Sequence, residues 1–393
     1  MRIAFYAPLK APTHPTASGD RRVARLLIDA LRLSGHTVEL VSEFRSFERD
    51  GDSQRQQELA AQGGAIAREL IAQWQSGPPA QRPELWFSYH LYYKAPDWIG
   101  PEVCRALGIA YVVAEASHAA KRAVGPWAMG HAAVEQALRS ANLLLCPTAF
   151  DVAGLQQVVT DAGRIRRLPP FLDPAPYLRA ARKKTLWRGR LCARQMLAPE
   201  QPWLVVAAMM RRGDKLASYK VLADTLRLLP DLQWQLLVAG DGDARDEIEG
   251  LLNQAAPGRV RFLGACDART MAVVYAASDI CVWPAVNEAY GMAMLEAQAA
   301  GLPVVSCATR GVPDVVQHDG TGLLASQIDA PSLAACLRAL LSDPVRRQAM
   351  GAAAARFVVQ SRSLQQAART LALALEPLRP APVQQLSGSG VSR

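Results

Sequence analysis

The sequence predicts an α/β protein made of two doubly wound, parallel-sheet domains. Three observations carry this. At 393 residues the chain exceeds what one ordinary core accommodates. Short β-branched runs alternate with helical patterns through both halves, the signature of successive βαβ units. The alternation also breaks once, after RRLPPFLD (Arg166 to Asp173), and restarts at Trp203.

In the first half the expected strands are Arg2 to Tyr6, Thr37 to Val41, Leu85 to Ser88, Tyr111 to Ala114, Leu143 to Cys146 and Ile165 to Leu168. Between the first two, Val23, Leu26, Leu27, Ala30 and Leu31 recur at helical spacing, and Gly35 stops that helix. The Gln-, Arg- and Gly-rich segment Arg45 to Pro83 reads as a helix with polar loops and carries no recognisable chemistry. The second series runs Trp203 to Ala208, Gln235 to Ala239, Val260 to Leu263, Asp279 to Trp283 and Pro303 to Ser306. The expected division is a domain over 1–172, a linker over 173–186, a domain over 187–377 and a disordered tail over 378–393, whose SGSG lacks periodicity. No repeated motif links the halves. Two such sheets, each binding beyond the carboxyl ends of its strands, would face each other across one cleft.

Composition narrows the class. Half the residues are hydrophobic and 20% are charged, as in soluble globular proteins. The apolar start MRIAFYAPL is too short for a signal-peptide core. No apolar run reaches the roughly 18 residues of a membrane span. Seven scattered cysteines without a CxxC pair read as reduced thiols of a cytoplasmic protein. The net charge of +9 suits a phosphorylated or otherwise anionic partner. No block of Lys and Arg interleaved with aromatics marks a nucleic-acid groove, so no nucleic-acid partner is expected.

The richest stretch is WPAVNEAYGMAMLEAQAAGLPVV, Trp283 to Val305. A strand ends at Trp283, a turn carries Glu288, Ala289, Tyr290 and Gly291, and a helix follows from Met292 to Ala300. Amides at such a helix start suit a diphosphate. Glu296 lies about five residues along, roughly 7–8 Å at the helical rise, within reach of an attached ribose. Either glutamate alone needs no function, since an acid near a helix start offsets the helix dipole. The whole stretch, with its turn, glycines and flanking strands, points to a site.

With the downstream GVPDVV and DGTGLLA, this pattern resembles the family 4 retaining glycosyltransferases of the GT-B fold, most strongly over about the last 200 residues. The resemblance implies two Rossmann-like domains, an acceptor-side first domain, a nucleotide-sugar-binding second domain, and a C-terminal helix packing back on the first. It implies that Glu288 faces the transferred sugar and that Glu296 binds the ribose hydroxyls. The family's usual Gly and Phe after the first Glu are replaced here by Ala289 and Tyr290.

Further site residues follow from the same resemblance. The loop VVAAMMRRGDKLASYK ends a strand in cations, and fixed cations stabilise a departing diphosphate without a metal. Arg211 and Lys215 match the family's basic pair best. The usual Lys-Gly dipeptide is missing, so Arg212 or Lys220 also qualifies. Gly240 and Gly242 match the nucleotide loop, although a lone GxG equally marks a tight turn. Leu263, at a strand end, matches a backbone contact to the base. In the first domain Gly19 lets the backbone approach a ligand, while Asp20 stands where an N-cap would. Relatives carry a sugar-contacting His near the strand end VVAEASHAAKR. Ala116 occupies that place, with Glu115 and His118 beside it, and Lys121 matches a basic position. Tyr89 to Trp98, rich in aromatics, lines an acceptor pocket or packs a core.

The implied reaction is front-face transfer of a sugar from a UDP-, GDP- or ADP-sugar to a hydroxyl acceptor, whether a sugar, a lipid-linked molecule or a small molecule. No cofactor and no metal are expected, since Asp241 and Asp243 stand on the glycine turn and form no metal-carrying DxD. A basic chain also allows peripheral contact with an anionic inner membrane face. Two rivals are a catalytically silent nucleotide-sugar-binding protein and a nicotinamide-dependent oxidoreductase. The latter lacks its GxGxxG and downstream acid.

Overall fold

The computed structural model describes residues 1–16 and 18–380. The chain divides into two compact units. One comprises Met1–Leu145, Leu155–Arg166 and the chain from Ala368 onward; the other comprises Cys146–Gly154 and Arg167–Ala367.

The first unit holds strands β1 (Arg2–Tyr6), β2 (Thr37–Ser42), β3 (Leu85–Leu91), β4 (Ala110–Ala116), β5 (Leu143–Cys146) and β6 (Ile165–Arg167), in the order β2-β1-β3-β4-β5-β6. Its core strands are continuous apolar runs because helices cover both faces. Phe5 stacks on Phe87 across neighbouring strands at 5.7 Å between ring centres. Buried Asp97 ties β3 and β4 to the helix Gly100–Leu107. It accepts from Trp86 Nε1 (3.2 Å), the Tyr111 hydroxyl (2.9 Å) and the amides of Ile99 (2.9 Å) and Gly100 (2.7 Å). The polar segment Arg45 to Pro83 contains the helix Ser53–Ser76 and a 3-10 turn, Pro79–Gln81, with irregular residues between.

The helix Gly19–Leu33 corrects one expectation. Its N-cap is Ser18, whose hydroxyl accepts from the Arg21 amide. Asp20 sits inside the first turn and turns its carboxylate to His90 instead.

The second unit holds β7 (Trp203–Ala207), β8 (Gln235–Ala239), β9 (Val260–Gly264), β10 (Ile280–Trp283), β11 (Val304–Cys307) and β12 (Gly322–Ala325). The sheet order is β12-β11-β10-β7-β8-β9. Read from β9 this is 3-2-1-4-5-6, the dinucleotide-fold order. Its last strand, β12, is not among the strands expected from sequence. Residues 173–186, expected as a linker, contain the helix Ala175–Ala181 and the start of a second, Lys184–Gln195. The latter buries no residue, so no apolar stripe marks it in the sequence. Asp279 anchors it, accepting from Lys184 Nζ (2.9 Å), Arg188 (2.8 Å) and the Trp203 amide (2.9 Å).

The final helix, Leu364–Leu375, begins among residues grouped with the second unit and runs on, from Ala368, among residues grouped with the first. Of the expected tail, Leu378 ends a 3-10 turn, and residues 381–393 lie outside the described residues. Among the described residues no helix is long and apolar enough to cross a membrane.

Candidate functional site

In a doubly wound sheet the strand order reverses at one point, and there the loops at the carboxyl ends diverge and leave a crevice. In the second unit the reversal falls between β7 and β10. Lys215, expected on a loop, lies in the first turn of the helix Asp214–Arg227 that follows β7; the loop after β10 supplies Glu288, and the Lys215 ammonium donates directly to Glu288 Oε2. The same oxygen accepts from Trp283 Nε1 at 3.1 Å, and the ammonium lies 5.4 Å from the centre of the Trp283 ring. Trp283 is itself fixed edge-on against buried Tyr219. Carboxylate, cation and indole therefore form one preorganised group, although Lys215 and Glu288 are 73 residues apart in sequence.

A second chain of polar contacts braces the same loops. Asn287 Nδ2 donates to Asp214 (2.8 Å), Arg310 donates to Asn287 Oδ1 (2.7 Å), and the Val286 amide donates to the Ser218 hydroxyl (3.0 Å). Asp214, Asn287, Arg310 and Trp283 escaped selection from the sequence as site residues. Asn287 and Trp283 lie inside the motif that contains Glu288, and Asp214 inside the basic stretch that contains Lys215.

The backbone around Glu288 is unusual. Ala285 (φ 62°), Asn287 (φ 53°) and Arg310 (φ 42°) adopt left-handed conformations without being glycine. Gly291 caps the helix Met292–Ala299 at φ 76°, where a Cβ would also lie 2.2 Å from Met294 Cε. Non-glycine residues in this region cost on the order of 1–3 kcal/mol each and persist where the surroundings impose them. Glu296 is 8% exposed on that helix. Ala289 is exposed, whereas Tyr290 is buried.

The other basic candidates separate. Lys220 pairs with Glu247 at 3.1 Å and Arg212 approaches the same carboxylate at 3.9 Å, on the helix Arg245–Ala255. Arg211 is exposed. Only Lys215 among these joins Glu288. Gly240 and Gly242 bring the loop after β8 against the loop after β7. A Cβ on Gly240 would lie 1.9 Å from the Ala208 carbonyl oxygen, and one on Gly242 2.3 Å from that of Met210. The Gly240 amide donates to Gly264 (2.9 Å), so this glycine serves a close backbone approach. Leu263 is half-buried near the end of β9.

The first unit repeats the device. Its order reverses between β1 and β3. Asp20, after β1, bonds His90 Nδ1 at 3.0 Å near the end of β3, and Glu115 near the end of β4 lies 3.7 Å from the same nitrogen. His90 (φ 62°) and Glu115 (φ 57°) are again left-handed. Burial pushes the Asp20 carboxyl up, but the hydrogen bond and charge of His90 outweigh it and hold it below the usual range. His90 was not singled out from the sequence, since its partner Asp20 is 70 residues away. Gly19 opens the adjacent helix, and a Cβ there would meet nothing within 4 Å. His118 stands apart: its ring is 4% exposed and faces Glu135 at 3.0 Å. Lys121 is exposed on the turn Ala120–Arg122.

Residues 198–357 match the family described as glycosyl transferases group 1. A D-inositol 3-phosphate glycosyltransferase of Xylanimonas cellulosilytica is 30% identical over 226 residues, covering 56% of this chain and 53% of that protein. A GDP-mannose-dependent monoacylated alpha-(1-6)-phosphatidylinositol monomannoside mannosyltransferase of Corynebacterium glutamicum is 36% identical over 141 residues, covering 34% of this chain and 36% of that protein. The chain thus spans about half or less of the curated relatives it matches. Among solved structures, sucrose-phosphate synthase of Thermosynechococcus elongatus superposes with a TM-score of 0.70 at 21% identity, covering 96% of this chain and 98% of that one. Anabaena HepE in complex with UDP-glucose gives a TM-score of 0.69 at 16% identity, covering 96% and 100%. These likenesses establish the two-domain GT-B fold.

Proposed function

We propose that this GT-B chain, whose second unit carries a glycosyl transferases group 1 domain, transfers a sugar from a nucleotide-sugar to a hydroxyl acceptor with retention of configuration. The observation that carries this is the Lys215–Glu288–Trp283 group at the strand-order reversal of the second sheet, beside the helix start at Gly291. A nucleotide diphosphate placed there meets first-turn amides and a fixed ammonium.

The roles follow from charge. Breaking the sugar–phosphate bond leaves extra negative charge on the diphosphate, and Lys215 with exposed Arg211 supplies positive charge to it. Glu288 holds the ammonium before the donor arrives and orients the sugar once Lys215 turns to the phosphate. Glu296 takes the ribose hydroxyls. The leaving phosphate oxygen accepts the acceptor's proton, so the protein needs no base of its own. The first unit, with Asp20, His90 and Glu115 at its own strand-order reversal, supplies the acceptor-side polar groups. Pairing with Glu247 makes Lys220 the weaker choice for the phosphate lysine.

The donor is a UDP-, GDP- or ADP-sugar. Relatives and structural neighbours that use GDP-mannose or bind UDP support this class without selecting the base. The test is a thermal-shift panel of the three sugar-nucleotide classes followed by measurement of nucleotide release. Stabilisation by one class with donor-dependent release is expected. Stabilisation without release in the presence of any acceptor would favour the catalytically silent rival, and no stabilisation would remove the donor site.

A further inference from the structure

We propose that His118, His131 and Glu135 form a binding site for one divalent transition-metal ion, Zn²⁺ by ligand chemistry, in the first unit. This site is separate from the donor-site group. His118 comes from the loop after β4. His131 and Glu135 lie four apart on the helix Ala128–Ser140 and so project from one face. One ligand atom from each residue falls within 4.8 Å of the others, a grouping of three potential ligands from two elements.

Two details separate this group from an ordinary buried histidine pair. First, both rings are enclosed, at 4% and 5% exposure, yet His131 Nε2 and His118 Nδ1 have no hydrogen-bond partner. Second, Arg139 holds Glu135 Oε2 at 2.8 Å and leaves Oε1 toward the two rings, 3.0 Å from His118 Nε2 and 4.0 Å from His131 Nε2.

The distances suit Zn²⁺. Ligands about 2.0–2.1 Å from a tetrahedral ion stand about 3.3–3.4 Å from one another. The separations of the two rings from Glu135 Oε1, 3.0 and 4.0 Å, bracket that value, and the three ligand atoms all lie within 4.8 Å of one another. On loading, the proton through which His118 Nε2 meets Glu135 moves to Nδ1, freeing the Nε2 lone pair. Two imidazoles and one carboxylate favour Zn²⁺ or Co²⁺ over Mg²⁺ or Ca²⁺, and three protein ligands leave one position for water. The ion would tie the loop carrying His118 and Lys121, which follows Glu115 on β4, to the helix beneath it.

The experiment uses untagged full-length protein stripped with a chelator. Zn²⁺ is titrated against a competing fluorescent chelator, and Co²⁺ is followed by visible absorption. About one ion per chain is expected, with tetrahedral Co²⁺ bands and no sulfur-to-cobalt charge transfer. Glu135→Gln and His131→Ala should each weaken Zn²⁺ by about 10–100-fold or more. His318→Ala, an exposed histidine in the second unit, should not. Circular dichroism checks that the variants fold. Wild-type Co²⁺ spectra keep the test independent of them. Fewer than about 0.2 ions per chain at micromolar Zn²⁺, a thiolate charge-transfer band, or unchanged affinity in both folded variants would each overturn the proposal.

Discussion

Replacing Lys215 by Met separates a catalytic from a structural role. The Lys215 side chain is 33% exposed and that of Glu288 18%. The pair therefore lies between exposed pairs, which contribute about 0–1 kcal/mol, and buried ones, whose disruption costs about 3–5. Methionine keeps the aliphatic stem and loses the charge and the contact with the Trp283 ring. Glu288 keeps the Trp283 N–H at 3.1 Å. Stability should fall by about 1–2 kcal/mol, a Tm drop of about 2–8 °C for a unit of this size. If the ammonium stabilises the leaving diphosphate, turnover should fall by about 10²–10³-fold, or 2.7–4 kcal/mol, well beyond the stability loss. Glu288→Gln supplies the contrast. It frees the ammonium from its neutralising partner, so nucleoside-diphosphate affinity should hold or rise a few-fold while turnover drops. Lys215→Met should lower that affinity about 10–100-fold. Calorimetric titration of the diphosphate and a coupled nucleotide-release assay give both readouts. Turnover within threefold of wild type in Lys215→Met, or diphosphate affinities shifting alike in both variants, would refute the assigned roles.

Other substitutions probe the surrounding framework. Glu296→Gln should weaken a ribonucleotide about 10-fold or more yet leave a 2′,3′-dideoxy analogue unaffected, as titration calorimetry can show. In Gly240→Ala the new methyl meets the Ala208 carbonyl oxygen at 1.9 Å; a loss of about 2 kcal/mol or more is expected by chemical denaturation. Gly19→Ala, with nothing within 4 Å, should change stability by less than about 1 kcal/mol in the same assay. Asp279→Asn should cost about 2–4 kcal/mol at neutral pH, since it strips the carboxylate from Lys184 and half-buried Arg188. Burial pushes the Asp279 carboxyl up, but the two cations outweigh it and hold it low. Its folded pKa being below the unfolded one, the wild-type advantage is complete above the ordinary value of about 3.9 and should vanish as pH falls through the folded value.

What the sequence disclosed and what it hid divide along a physical line. Strands such as LLLC and ICVW are buried on both faces and announce themselves as continuous apolar runs. The helix Lys184–Gln195 buries nothing, and β12, GLLA, opens on a glycine and has no β-branched or aromatic residue, so neither gives a clear signal. The motif around Glu288 is local and was legible with its turn, Gly291 and Glu296. Partners were not, because each pair joins segments that the sequence keeps apart: Asp20 with His90, His118 with Glu135, Lys215 with Glu288. Asp20 shows the cost of local reasoning, since its position invites a cap that Ser18 in fact provides.

Strand order supplies the missing link in both units. It brings the start of the helix after β7 beside the loop after β10, and the start of the helix after β1 beside the end of β3, at the one place in each sheet where crossovers leave in opposite directions. Seven described non-glycine residues have positive φ, and five of them, His90, Glu115, Ala285, Asn287 and Arg310, stand at or just beyond strand ends. Such strain is tolerated only where tertiary contacts impose it, and here the contacts are the Lys215–Glu288 and Asp20–His90 pairs and the Asp214–Asn287–Arg310 chain. Glu288 therefore acts as one corner of a group held by topology. A change that loosens Ser218 or Asp214, which bond the loop at Val286 and Asn287 and not Glu288 itself, should shift turnover by moving the backbone that carries it.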